Sequence, residues 1–267
     1  MCPNCRAFIT TDDKICPYCQ AEVGPRAIER RSPTAVGGII PHARFTTMMI
    51  LLVNTGLYVA MMLYHAQANG GNVGLDMDGK TLELFGGNFP GGEWWRLITA
   101  GYLHGGLLHI LMNSWVLFDL GAQVEELYGT NRMIVVYFLS TVGGFLASTY
   151  WNPLAGSVGA SAGIFGLIGA MIALGVRHRS ALGDHIRALY TRWAIYGLIF
   201  GFLPFFNIDN AAHLGGLAAG FCTGYVAGLP RVSGGVNEML WRILSFVCLG
   251  ITALCFLEMY LWFAAQR

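Results

Sequence analysis

Seven apolar segments follow one another through this chain, each long enough, or nearly so, to cross a hydrocarbon core about 30 Å thick. They cover approximately residues 46–64, 98–120, 132–150, 160–176, 190–206, 210–228 and 239–264. Within hydrocarbon every backbone N–H and C=O must be satisfied inside the protein, so open segments of this kind have to be helices. Composition agrees: 55% of the 267 residues are hydrophobic and 12% are charged, and the mean hydropathy is +0.53. A soluble protein of this length exposes more surface than so few charges can cover, and the same apolar content excludes a disordered chain. A net charge of +1 supplies no basic field for nucleic acid. The expected fold class is an all-α polytopic membrane protein with a small soluble head.

The head is residues 1–24, beginning MCPNCRAFITTDDKICPYCQ. It lacks the apolar core of a signal peptide, so no cleavable leader is expected. Four of the seven cysteines lie here, as Cys2–Cys5 and Cys16–Cys19 with ten residues between the pairs. Two C-x-x-C knuckles on a short hairpin suit a zinc ribbon, in which four thiolates hold a structural Zn²⁺ tetrahedrally. A pair of disulfides is the alternative, disfavoured if the head faces a reducing compartment. So short a segment has almost no core and would need the metal to fold. Cys222, Cys248 and Cys255 are single thiols in apolar spans and read as packing residues. Residues 25–45 form a basic linker with Pro25, Pro33 and Pro41.

The positive-inside rule sets the orientation. Of the 16 Lys and Arg residues, all but Lys80, Arg96 and Arg267 fall on the side of the N-terminus. That puts the N-terminus in the cytoplasm and the C-terminus outside, and makes spans two, four and six run inward. Segment 65–97 is then an outer loop. It carries Phe85, Phe89, Trp94 and Trp95, and reads either as a solvated loop or as one dipping into the outer interface, where such rings settle. Charges inside the spans are few: Asp119 and Arg192 fall near span ends, and Glu258 lies in the last span.

Three polar groups interrupt the apolar pattern. In HGGLLHILMN, His109 and Asn113 are four residues apart and share a helix face, whereas His104, five residues before His109, is about 140° around the helix and so points elsewhere. Both His109 and Asn113 can donate, which suits stabilising an oxyanion; a lone histidine there would more often be a packing residue. GASAG centres on Ser161 at the start of span four. Its glycines, Gly159 and Gly163, equally suit close helix packing, but a serine at a helix N-terminus also has free N–H groups beside it. AAHLGGLAAG carries His213, with Gly216 and Gly220 allowing another helix to approach closely. On the expected topology His109, Ser161 and His213 all lie in the outer part of parallel spans.

These motifs, in this order, resemble the rhomboid intramembrane serine proteases. The resemblance runs from EWWRLITAGYLHGGLLHILMN through GAQVEELYGTNR and GASAG to AHLGGLAAG, roughly residues 46–228. It implies a six-helix rhomboid core, with residues 229–267 as an additional seventh helix. It further implies Ser161 as nucleophile, His213 as general base, and an oxyanion hole formed by the Ser161 N–H, His109 and Asn113. Gly159 belongs to the Gly-x-Ser signature, and His104 becomes a structural histidine. Phe165 departs from the pattern: many relatives carry a tyrosine there, packed on the histidine. The implied substrates are transmembrane helices of membrane proteins in the lipid bilayer, cut without a catalytic cofactor. The implied location is the bacterial inner membrane, with the site open to the extracytoplasmic side. The sequence leaves the oligomeric state open. An inactive rhomboid-like binder of membrane helices and a solute transporter are the competing classes. Retention of all four polar side chains speaks against the first, and the lack of duplicated halves against the second.

Overall fold

The computed structural model describes residues 5, 15–22, 44–72, 74–178, 180–202, 208–229 and 236–266. The chain divides into two compact units, Met1–His42 and Ala43–Arg267.

In the first unit, Ile15 and Glu22 form an antiparallel bridge. Between them the Cys16 N–H donates to the Ala21 carbonyl and the Gln20 N–H to the Cys16 carbonyl, both at 2.9 Å. The turn is closed by Gln20 at φ 59°.

The second unit is helical, with only isolated bridges among its described residues. The helices are α1 (Phe45–Ala68), α2 (Gly79–Leu84), α3 (Arg96–Thr99), α4 (Leu107–Tyr128), α5 (Thr130–Trp151), α6 (Ser161–Arg177), α7 (Ala181–Phe200), α8 (Asn210–Ala227) and α9 (Val236–Ala265). Of these, α1, α4, α5 and α9 are long and apolar enough to cross a membrane, and α6 is a shorter apolar helix. In α7 the run is diluted by Asp184, His185, Arg187 and Arg192, and α8 is largely glycine and alanine.

Local chemistry explains the boundaries. Gly129, at φ 77°, separates α4 from α5 without a spacer. Ser180 caps α7 by accepting from the Gly183 N–H, and Asp209 caps α8 by accepting from the Ala212 N–H. Two expected spans shift. The second begins at Leu107 rather than 98, because the extended Gly106 breaks it from the short turns before it; it then continues to Tyr128. The fifth runs 181–200 rather than 190–206, because the Ser180 cap starts it a polar half-helix earlier.

The buried centre is α6, most of whose residues are inaccessible. Its neighbour α8 lies backbone to backbone against it. A Cβ on Gly220 would overlap the Gly166 backbone, and one on Gly216 would overlap the Ala162 carbonyl. Those glycines therefore serve the close approach expected of them. Tyr128 adds a polar tie, donating to the Ala170 carbonyl at 2.7 Å. Glu125 holds the start of α1: its carboxylate accepts from the Thr46 N–H at 2.9 Å and the Thr47 N–H at 3.1 Å.

Among its described residues, segment 65–97 is folded rather than loose. Arg96 is 2% exposed. It donates to Glu93 at 2.6 Å and to the carbonyls of Glu83 and Gly87, and lies over the Trp95 and Trp262 rings. Phe85 packs on Tyr64 and Phe263, and Trp95 on Trp262. Phe85 and Trp95 therefore face protein, on partners from α1 and α9, and the Phe89 ring abuts Gly156. Trp94 remains 62% exposed.

Candidate active site

Ser161 is the first residue of α6, so its N–H has no carbonyl within the helix to bond. Two residues earlier Gly159 sits at φ +137°, a conformation L side chains rarely adopt. Its N–H donates to the Ala100 carbonyl at 2.9 Å, pinning the segment before α6 to the turn before α4. A Cβ at Gly159 would lie 2.8 Å from Nε2 of His109 and 3.5 Å from Oγ of Ser161. The serine hydroxyl and the imidazole thus border the same small space. Gly159 is not a packing glycine, whereas Gly163 is: its face abuts the Tyr137 ring of α5.

Asn113, one turn below His109 on α4, donates its amide to the His109 carbonyl at 2.9 Å. His104 is buried in the turn before α4, and its ring lies 5.0 Å from that of His109, edge to face. The expectation that the two point apart is overturned. It extrapolated one helix through residues 104–109, but α4 begins only at Leu107, and the extended Gly106 turns His104 back over the helix end.

His213 is in the first turn of α8 and 5% exposed. Its ring stacks on Phe165 with centroids 4.0 Å apart and planes 13° apart. Phe165 is one turn beyond Ser161, so the face of α6 that carries the serine also carries the ring against the histidine. Gly197 of α7 lies against the same ring, since a Cβ there would meet the Cζ tip of Phe165. Nδ1 of His213 is buried without a hydrogen-bond partner. Among the described residues no hydrogen bond joins Ser161 to either histidine. Asp209 is occupied as the α8 cap and accepts from the Ser148 hydroxyl. Gly197 and Ser148 had no visible signal in the sequence, since each acts only through a partner on another helix.

The rhomboid domain model matches residues 91–230, more than half of the chain. The chain belongs to the rhomboid family. It is an integral membrane protein with the polytopic helical fold of that family. The rhomboid protease GluP of Bacillus subtilis (strain 168) is 35% identical over 210 residues, covering 76% of this chain and 39% of that protein. RHOMBOID-like protein 1 of Arabidopsis thaliana is 39% identical over 136 residues, 50% of this chain and 34% of its own length. Rhomboid-like protease 3 of Toxoplasma gondii is 35% identical over 147 residues, 53% and 56% of the two chains. The matched regions span between about a third and just over half of these relatives.

In the first unit, Cys5, Cys16 and Cys19 bring their sulfurs within 4.8 Å of one another. Cys5 and Cys16 are 3.7 Å apart. Cys2, the fourth expected ligand, lies outside the described residues.

Proposed function

We propose that this rhomboid is an intramembrane serine endopeptidase that cuts transmembrane helices with a Ser161–His213 dyad. Oγ of Ser161 attacks the scissile carbonyl carbon while His213 takes the hydroxyl proton. The C–N bond then breaks, the amine leaves with the proton returned by His213, and an acyl ester remains on Ser161. Water, deprotonated by the same imidazole, hydrolyses the ester and restores the hydroxyl. The oxyanion of each tetrahedral intermediate is held by the Ser161 N–H, His109 and Asn113.

The reading is carried by the space beside Gly159, where a hydroxyl nucleophile and an imidazole donor meet at the open end of a helix. That combination is what an acyl-transfer site needs. The Phe165 stack supports His213 as the base by holding its ring against the serine-bearing face of α6. The direct Ser161–His213 hydrogen bond would form as substrate orders the site, as catalytic bonds often do. Phe165 keeps the aromatic face without a hydroxyl, and His104 acts as a structural support for His109. The relatives named as proteases in Bacillus and Toxoplasma support the same activity.

The positive-inside pattern supports a cytoplasmic N-terminus in a bacterial inner membrane, with the site fed by water from the opposite side. The segment 1–24 acts as a zinc-ribbon head. At a Zn–S length of about 2.3 Å, two thiolates of a tetrahedral site stand about 3.8 Å apart, which fits the Cys5–Cys16 separation of 3.7 Å. Bound zinc would supply the fold of the head, with Cys2, Cys5, Cys16 and Cys19 as ligands.

Cleavage of a model transmembrane substrate in detergent by the wild type, Ser161→Ala and His213→Ala tests the dyad. Activity should be lost in both variants, and a fluorophosphonate should label Ser161. Equal activity in all three would overturn it, and an inert wild type that still binds helices would mark an inactive rhomboid-like protein.

A further inference from the structure

Residues 100–104, between α3 and α4, touch both halves of the site. They begin with the 3-10 turn Ala100–Tyr102. The Ala100 carbonyl accepts from the Gly159 N–H at 2.9 Å, which fixes the segment leading to the Ser161 N–H. Two residues beyond the turn, His104 lays its ring against His109 with centroids 5.0 Å apart. The same short stretch therefore places the serine end and the imidazole on opposite sides of one small space.

A 3-10 turn holds itself weakly, so where this one sits is set by what its residues pack against. On one side is α5. Gly101 leaves no room for a Cβ against Thr141, and the Tyr137 hydroxyl donates to the Gly101 carbonyl at 3.5 Å. On the other side is α9. The Tyr102 ring is held between the two helices, edge to face with Tyr137 at 6.1 Å and with Phe256 of α9 at 5.2 Å. One residue before Phe256, Cys255 is buried in a cluster with Trp95 and Ile98, and Tyr102 packs on that cluster. An oxyanion hole stabilises charge only as far as its donors are fixed before the charge develops, and the fixing here passes through the Tyr102 ring.

We propose that α9 holds the site in register: Phe256, acting through Tyr102, sets the place of residues 100–104 and so the spacing between the Ser161 N–H and His109. Tyr102 and Phe256 are positioning residues. The effect on turnover rests on the protease reading, whereas hydrogen exchange of the Gly159 amide needs no turnover. Both are measured on the full chain in detergent, well below the melting temperature. Phe256→Ala leaves the Tyr102 ring unbraced. Because a misplacement of about 1 Å can cost about 100-fold, a partial shift should lower kcat on a model transmembrane substrate about tenfold. KM should stay unchanged, since the oxyanion forms only beyond the ground state. The Gly159 amide should exchange about tenfold faster, as its bond to Ala100 opens more often. Tyr102→Leu should behave like Phe256→Ala, and Tyr102→Phe, which keeps the ring, should match the wild type in both measurements. Trp241→Ala removes a buried ring near the start of α9; it should lower the melting temperature and leave kcat and Gly159 exchange as they were. A wild type that cleaves nothing, with exchange that still quickens in Phe256→Ala, would sink the protease reading and leave the brace standing. Equal Gly159 exchange in the wild type and Phe256→Ala overturns the brace, and so does a loss of kcat in Trp241→Ala as large as that in Phe256→Ala.

Discussion

At the scale of single residues, the site depends on one backbone conformation and one ring. Gly159 is both left-handed and in contact with His109 and Ser161. Gly159→Ala therefore adds about 1–3 kcal/mol of strain and displaces the groups it separates. Because a misplacement of about 1 Å can cost about 100-fold, kcat for a model substrate should fall by at least that factor while the helical circular-dichroism spectrum is retained. Phe165→Ala removes an aromatic stack of about 0.5–1.5 kcal/mol, and kcat/KM should drop about 3- to 10-fold; Phe165→Tyr keeps the stack and should restore it. Outside the membrane spans, Asp78 accepts from the Thr81 N–H at 2.7 Å. That bond is the leading cause of its carboxyl lying below the usual value of 3.8. A lowered carboxyl stabilises α2 at and above the ordinary carboxylate range and ceases to do so as the pH falls through the lowered value. The protection factor of the Thr81 amide should hold at neutral pH and fall as the pH drops through that lowered value. These roles were unevenly legible. Ser161 and His213 stood out as polar residues in apolar runs, but the contact between His104 and His109 did not, since residue spacing predicts direction only inside an unbroken helix.

At the scale of the helix, the decisive contact is the seam between α6 and α8, which lets Ser161 and His213 occupy facing first turns. Gly220→Val would drive a branched side chain into the Gly166 backbone. Overpacking of this kind costs about 1–3 kcal/mol or more. The melting temperature in detergent should fall, and activity should be lost well below that temperature, because separating the helices also separates Ser161 from His213, the proposed dyad. The small-residue spacing at Gly216 and Gly220 was readable in advance, and so was the approximate number of helices. The starts of α4 and α7 were not. Hydropathy registers where a chain is apolar, whereas these helices begin where Gly106 or Ser180 allows the backbone to enter a helix.

At the scale of the whole chain, α9 is tied in at both ends. Near its start Glu238 receives both terminal nitrogens of Arg132 at 2.7 Å, and Arg132 also lies over Trp241. Near its other end Trp262 and Phe263 cover Trp95 and Phe85 of the segment between α1 and α4. Glu238→Gln leaves the buried Arg132 uncompensated and should destabilise the protein by about 3 kcal/mol, whereas the double change with Arg132→Met should recover most of that loss in thermal unfolding. The zinc proposal is also tested on the full chain: a chelator should release about one zinc per protein and expose residues 1–24 to protease while the bundle stays intact, and a metal-free head that resists cleavage would refute it. The amino-acid sequence by itself determined that the chain is a helical membrane protein, because the cost of leaving polar backbone in hydrocarbon acts segment by segment. It also singled out His109, Asn113, Ser161 and His213 as candidates, since polar groups in such segments are rare. Which of them meet was decided by tertiary structure alone. The stacking of Phe165 on His213 and the cover that α9 gives Phe85 and Trp95 depend on elements packed across large gaps in the chain, and no local spacing encodes that geometry.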